Sequence, residues 1–141
     1  MKKIAVLVIF FSVLLSGCEK QELNNQLNGS WKILSVSGGI TGSQSIRDFD
    51  ELQFSRSGKY FVTFNGTVIQ GGTYELEKQQ YKGYNYRDYD YKMYLTEKFN
   101  NHPYANFYAF TPFSITFNND GTLTLRQVEV SDGFQYDFKR N

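Results

Sequence analysis

The chain is poor in the residues that carry metal and nucleophilic chemistry. Its 141 residues include one cysteine, Cys18, and one histidine, His102. A single cysteine forms no disulfide within the chain, and one cysteine with one histidine supplies neither a zinc set nor a cysteine–histidine catalytic pair. Asp88 and Asp90 alternate with tyrosines beside basic residues, which is more typical of a solvated rim than of a glycosidase carboxylate pair. We therefore expect no enzyme activity, no cofactor and no metal site.

The longest apolar run lies at the N-terminus and is too short to cross a bilayer. Residues 1–3 supply positive charge, residues 4–15 are apolar except for Ser12, and the small residues Ser16 and Gly17 follow. A membrane-spanning helix needs about 20 apolar residues, and this run of twelve residues has eleven. A charged start, an apolar middle and a small-residue end are the layout of a secretory signal. The sequence predicts a signal peptide over residues 1–17.

The end of this run, Leu15-Ser16-Gly17-Cys18, resembles the bacterial lipobox. The resemblance implies cleavage between Gly17 and Cys18, a diacylglycerol on the Cys18 thiol and an acyl chain such as palmitate on the new amine. Two or three chains give stable membrane attachment. Glu19 is not the aspartate that retains lipoproteins at the inner membrane of enteric bacteria. The resemblance therefore implies an outer-membrane lipoprotein, facing the periplasm or the cell surface.

Removal of the signal peptide leaves a nearly neutral chain. Residues 1–17 contain Lys2 and Lys3, so the mature chain keeps 13 basic and 14 acidic residues. This balance gives no electrostatic reason to expect nucleic acid. The remaining length suits one domain, which we expect to be a monomer. The polar segment 18–28 predicts a flexible tether from the lipidated cysteine, and residues 29–141 form the domain.

Apolar residues recur at every second position through the domain. Leu52 and Phe54, Tyr74 and Leu76, and Phe113, Ile115 and Phe117 show this spacing, which is typical of half-buried antiparallel strands. Gly-containing turns separate the runs, and Asn65-Gly66 is the strongest hairpin signal. The pattern predicts an all-β fold, an up-and-down meander of about eight strands. Closure into a small barrel would leave no unpaired edge.

The stretch Leu27-Asn28-Gly29-Ser30-Trp31-Lys32 resembles the start of the lipocalin superfamily, with its Gly-x-Trp on the first strand. The hairpin from Leu52 to Tyr60, the strand from Gly72 to Leu76 and the aromatic last strand ending at Arg140 are similar to small lipocalin-like lipoproteins of the Bacteroidetes type. In lipocalins a C-terminal basic residue covers the tryptophan and plugs one barrel end. The resemblance implies this role for Trp31 and Arg140; the alternative is that Trp31 is an ordinary core residue.

A tyrosine-rich stretch lies between residues 81 and 94. Tyrosine has an apolar face and a polar tip, which suits a wet recognition surface; Tyr104, Phe107 and Tyr108 extend it. The alternative is a long hairpin that uses tyrosines for cross-strand pairs. The stretch contains Tyr81, Tyr84, Tyr86, Tyr89, Tyr91 and Tyr94.

Two functions remain open at this point. The first is a membrane-anchored lipocalin-like barrel that binds a small apolar or amphipathic ligand in the cell envelope. The second is a filled barrel that docks another envelope protein or a glycan through the tyrosine-rich stretch, since eight strands leave little interior space. The ligand-binding hypothesis places seven residues on the inner face: Phe54, Val62, Tyr74, Tyr91, Met93, Phe117 and Leu125.

Overall fold

Eight antiparallel strands dominate the computed structural model, which describes residues 18–38, 49–79, 91–102, 107 and 111–141. Each strand pairs with the next, and the last pairs with the first, so the sheet closes into a barrel. The predicted eight-strand meander is confirmed. The strands are β1 (Gly29–Ser37), β2 (Glu51–Phe54), β3 (Lys59–Phe64), β4 (Thr67–Lys78), β5 (Tyr91–Asn100), β6 (Phe113–Phe117), β7 (Thr122–Gln127) and β8 (Gln135–Arg140).

The β3–β4 hairpin shows why the turn residues matter. Asn65 and Gly66 both have positive φ, 48° and 74°. A two-residue turn of this hand matches the twist of the flanking strands, and Asn-Gly adopts it at little steric cost. The hairpin turn that Asn65-Gly66 predicts is therefore confirmed.

Residues 18–27 form a helix, α1, and are not the flexible tether that the polar composition predicts. Leu23 and Leu27 are four residues apart and so share one helix face; Leu27 is completely buried, and Leu23 packs against the core. Gln, Glu, Lys and Leu are good helix formers. The hydrophobic spacing of four, and not the overall polarity, decides the structure here. No helix in the described part of the chain has the length and apolar character that a bilayer crossing requires.

The barrel has two distinct ends. The helix end, which we define by α1, the connections 55–58 and 118–121 and the chain terminus at Asn141, is where β1 begins and β8 finishes. The opposite end carries the β3–β4 turn and the β7–β8 connection, and β6 begins there. Because the strands alternate in direction, successive connections lie at opposite ends of the barrel.

The inner face of the barrel forms one continuous core. Alternate residues on the strands point inward, as Leu52 and Phe54 do on β2 and Leu123 and Leu125 do on β7. Residues from the connections, Phe49 and Phe107, join the strand residues in this core. The largest fully buried side chains are Trp31, Tyr60, Tyr136, Phe49, Phe107, Phe113, Phe138, Leu27, Leu52, Met93, Leu123 and Leu125.

Candidate functional site

Aromatic rings fill the barrel interior toward the opposite end. The Phe107 ring lies parallel to that of Phe113, with centroids 5.5 Å apart and planes 2° apart. Its edge contacts are with Tyr136 at 5.2 Å and Phe49 at 5.5 Å between centroids. Phe107 comes from the connection between β5 and β6 and not from a strand. A side chain from a connection thus sits at the centre of the aromatic cluster.

A polar group of three side chains borders this cluster. Tyr60, Gln70 and Glu97 come from the adjacent strands β3, β4 and β5. Gln70 Nε2 donates to Glu97 Oε2 at 2.7 Å and to the Phe107 carbonyl oxygen at 3.4 Å. The Tyr60 ring lies 6.5 Å from the Phe107 ring, centroid to centroid. The group therefore lies next to Phe107.

Two atoms of this group have no hydrogen-bond partner among the described residues. They are the Tyr60 hydroxyl and Gln70 Oε1, on side chains that are 0% and 1% exposed. Buried polar atoms are nearly always paired, because an unpaired one costs about 1–3 kcal/mol of desolvation. Each of the two atoms is able to form a hydrogen bond with a further polar group.

The environment of Tyr60 also changes its acidity. Burial raises the pKa of the Tyr60 hydroxyl from 10 to about 12, and the negative charge of Glu97 acts in the same direction. The Gln70 side chain approaches the hydroxyl closely enough to oppose both effects, but without the geometry of a completed hydrogen bond. Tyr60 is therefore a neutral hydroxyl at physiological pH, able to donate or accept one hydrogen bond.

A glycine makes room for this arrangement. Gly72 pairs with Tyr60 on one side and with Glu97 on the other, beside a register shift between β4 and β5. A Cβ at position 72 would lie 1.9 Å from the Thr96 carbonyl oxygen and 3.0 Å from the Tyr60 ring. The strands approach this closely only because position 72 has no side chain.

The helix end is closed by α1 and the ends of β1 and β8. The indole nitrogen of Trp31 donates to the Leu27 carbonyl oxygen at 2.7 Å. The Arg140 guanidinium carbon lies 4.7 Å from the Trp31 ring centroid, and the same group donates to the Gln26 carbonyl oxygen. The structure thus brings together the two residues that the resemblance names as a plug, and α1 completes the closure.

The seven residues predicted to face a ligand are divided between two regions. Phe54 and Tyr74 make an edge-to-face pair at 5.2 Å, and the Tyr74 hydroxyl bonds to Asn24 of α1. Phe117 packs against Trp31 at 6.0 Å, and the Tyr91 hydroxyl donates to Glu19 at 3.5 Å, so these four lie at the helix end. Val62, Met93 and Leu125 are fully buried core residues.

The tyrosine-rich stretch is described only at its C-terminal part. Tyr81, Tyr84, Tyr86 and Tyr89, with Asp88 and Asp90, lie outside the described residues. Tyr94 is exposed on β5, whereas Tyr91 is half-buried beside α1. The prediction that Phe107 extends this surface is wrong, because its ring is buried in the core. Aromatic composition alone does not distinguish a surface residue from a core residue.

The proposed lipidation residue, Cys18, is exposed at the start of α1. The next residue, Glu19, forms an ion pair with Lys78 and accepts from Tyr91. The hydrogen bond and positive charge of Lys78 hold the pKa of the Glu19 carboxyl below its usual value. The first residues after Cys18 are therefore in contact with the barrel. Leu15, Ser16 and Gly17 lie outside the described residues.

Among the described residues, an open surface groove lies at each end of the barrel. The first, of about 370 Å³, runs between α1 and the β2–β3 turn and is lined by Lys20, Asn24, Arg56 and Tyr74. The second, of about 530 Å³, lies along the β7–β8 connection between Gln127 and Phe134. Both are shallow and polar in part. No cluster of three or more metal-binding side chains occurs in the described ranges.

Comparison of the chain with models of known protein families and with curated proteins found no match. Sequence analysis missed the polar members of the site, although one signal was present: Met93, Leu95 and Glu97 follow a spacing of two, which places Glu97 on the inner face with the other two. A carboxylate in register with core residues marks a polar point inside the barrel.

Proposed function

We propose that this chain is a membrane-anchored lipoprotein whose barrel binds a small, largely apolar ligand in the cell envelope. The observation that carries the ligand-binding part is a pair of buried atoms on Tyr60 and Gln70 that border an aromatic interior and lack a hydrogen-bond partner in the part of the chain that the structure describes. Apolar sites with a few converging polar groups are typical of small-molecule binding. No residue of the site is assigned a catalytic role.

The anchor part of the proposal is supported by the lipobox-like sequence before Cys18 and by the exposure of that cysteine at the beginning of α1. A thiol at the surface end of the domain is accessible to acylation without disturbing the core. The proposed location is the outer membrane.

The anchor is tested by metabolic labelling of the full chain with an alkyne analogue of palmitate. We expect labelling of the wild-type protein and none of Cys18→Ser, with Ser16→Ala as a control that keeps the thiol. Labelling that persists in Cys18→Ser would disprove the anchor at this position.

Ligand binding is tested by native mass spectrometry of the protein extracted from its own membrane. We expect a co-purifying small molecule in the wild type and a reduced bound fraction in Tyr60→Phe, which removes one unpaired hydroxyl and keeps the ring. Tyr94→Phe is the matched control, since Tyr94 lies on the outer surface. Equal bound fractions in all three proteins would contradict an interior site at Tyr60.

The packed aromatic interior favours a second function. A filled barrel would act through its surface, docking an envelope protein or a glycan through the tyrosine-rich stretch. Of this stretch, Tyr94 is described and exposed. A photo-crosslinking residue in place of Tyr94 should then capture a single envelope component, and the same residue in place of Leu34, exposed on β1, should not. Equal capture at both positions would argue against this function.

A further inference from the structure

The Phe107 side chain has the position that a bound ring compound would have. Its ring stacks on Phe113, is enclosed by edge contacts from Phe49 and Tyr136, and lies beside Tyr60. Flat rings in such surroundings gain both area burial and oriented aromatic contacts. Tyr60, Phe113 and Tyr136 lie on paired strands, whereas Phe107, like Phe49, belongs to a connection.

The hydrogen bonding around Phe107 is incomplete in a specific way. Its carbonyl oxygen accepts a hydrogen bond from Gln70 Nε2, so the backbone of Phe107 pairs with the amide nitrogen of Gln70. The phenyl ring has no polar atom to offer the Tyr60 hydroxyl or Gln70 Oε1, and neither atom has a hydrogen-bond partner among the described residues. The ring therefore fills the aromatic part of the site but forms no hydrogen bond with these two atoms.

We propose that the Phe107 ring occupies the ligand site itself and is displaced by a planar ring compound that carries a neutral hydroxyl group. This inference rests on the proposed ligand-binding function. The displacing ring would take over the stacking on Phe113, and its hydroxyl would reach the two unpaired atoms. Displacement exchanges one buried ring for another, so the free energy of the exchange depends mainly on the polar contacts that the ligand gains.

The chemistry of the polar group sets the ligand class. Gln70 Oε1 and the Glu97 carboxylate are acceptors, whereas the Tyr60 hydroxyl is both a donor and an acceptor. A hydroxyl can donate to Gln70 Oε1 and accept from Tyr60. A carboxylate head would have no proton to donate and would face the negative charge of Glu97 in surroundings of low polarity, where repulsion is strong. The site therefore selects a neutral donor and rejects an anion.

Three naphthalene probes separate these contributions. Naphthalene supplies the ring alone, 2-naphthol adds a neutral hydroxyl, and 2-naphthoate adds a carboxylate. The probes are titrated into the full-length, processed protein in nanodiscs, with empty nanodiscs as the blank for partition into lipid. We expect 2-naphthol to bind about tenfold more tightly than naphthalene, the effect of one or two hydrogen bonds, and 2-naphthoate to bind most weakly.

Truncation of the occupant is the decisive test. Phe107→Ala should bind 2-naphthol at least about tenfold more tightly than the wild type, because no ring has to be displaced. Phe138→Ala is the matched control: it removes the same side chain from a fully buried position on β8, where the ring contacts Phe49 and Tyr136. Tyr60→Phe should remove the preference for 2-naphthol over naphthalene and leave naphthalene binding unchanged.

Thermal unfolding of each variant accompanies the titrations. If Phe107→Ala does not fold, Phe107→Leu replaces it and should tighten 2-naphthol binding in the same direction by a smaller factor. Equal binding by the folded Phe107 and Phe138 variants would show that any void suffices and would overturn the proposal. No tightening in a folded Phe107 variant would overturn it as well.

These outcomes also separate the inference from the proposed function. If wild type and Phe107→Ala bind 2-naphthol equally well, the barrel binds a ligand but Phe107 does not occupy its site. If neither binds any of the three probes and native mass spectrometry finds no bound molecule, the ligand-binding function itself is disproved.

Discussion

The guanidinium group of Arg140 lies over the ring of Trp31, where the last strand of the barrel pairs with the first. Its guanidinium carbon is 4.7 Å from the ring centroid. The same group donates to the Gln26 carbonyl oxygen in α1. One side chain therefore joins the two strands that close the barrel to the helix that covers its end.

Removal of this side chain should destabilise the domain moderately. We expect Arg140→Ala to lower the free energy of unfolding by about 1–2 kcal/mol, since a cation over an indole ring contributes about 0.5–2 kcal/mol. Lys139→Ala removes a neighbouring exposed cation and should change stability by less than about 0.5 kcal/mol. Urea unfolding of both variants measures the difference, and equal losses would show that Arg140 acts only through its charge.

The helix can be tested as an integral part of the fold. Leu27→Ala should cost about 2–5 kcal/mol, because it deletes a fully buried side chain and leaves a void. Leu34→Ala makes the same chemical change at an exposed site on β1 and should stay within about 0.5 kcal/mol. Thermal or urea unfolding distinguishes the two. A loss for Leu27→Ala as small as that for Leu34→Ala would restore the flexible-tether interpretation of this segment.

Two adjacent glycines should respond differently to substitution. A Cβ at Gly72 meets the Thr96 backbone carbonyl at 1.9 Å, whereas a Cβ at Gly71 meets the partly exposed Phe99 ring at 2.8 Å. Backbone cannot move without breaking the β4–β5 ladder, but a side chain can rotate away. We expect Gly72→Ala to cost about 3 kcal/mol or more and Gly71→Ala about 1 kcal/mol. Unfolding midpoints in urea would measure this, and the reverse order would contradict the close strand approach at Gly72.

The acidity of Tyr60 predicts a stability change at high pH. Burial and Glu97 raise its pKa from 10 to about 12 in the folded state. The unfolded chain therefore loses this proton first, and the stabilisation is complete below pH 10 and is lost as pH rises from 10 to 12. The unfolding midpoint of the wild type should fall more steeply than that of Tyr60→Phe between pH 9 and pH 11.5. Parallel curves for the two proteins would show that Tyr60 titrates normally.

The strands and their turns could be predicted because their signals are local. Leu52 and Phe54 show the spacing of a strand within a few residues, and Asn65-Gly66 specifies its own turn. The helix at residues 18–27 could not be predicted from composition, because only Leu23 and Leu27 mark its buried face. These two leucines are buried only when the helix packs on the end of the folded barrel.

The polar group of the site depends on long-range pairing, which the sequence alone does not predict. Gln70 and Glu97 are 27 residues apart and meet only because β4 and β5 pair with a shift beside Gly72. Phe107 enters the core from a connection, where no periodicity marks an inward position. The spacing within β5 places Glu97 on the inner face, but it does not show which residues of other strands and connections Glu97 meets.

Cys18 is the first residue of α1, so no spacer separates a lipid on its thiol from the barrel. With acyl chains on Cys18, the helix end would be held against the bilayer, because Glu19 already contacts Lys78 and Tyr91 of the barrel wall. The opposite end of the barrel, which contains Phe107, would then point into the aqueous phase. A ligand of this protein would exchange with water or with a soluble carrier, and not laterally with the lipid leaflet in which the anchor is embedded.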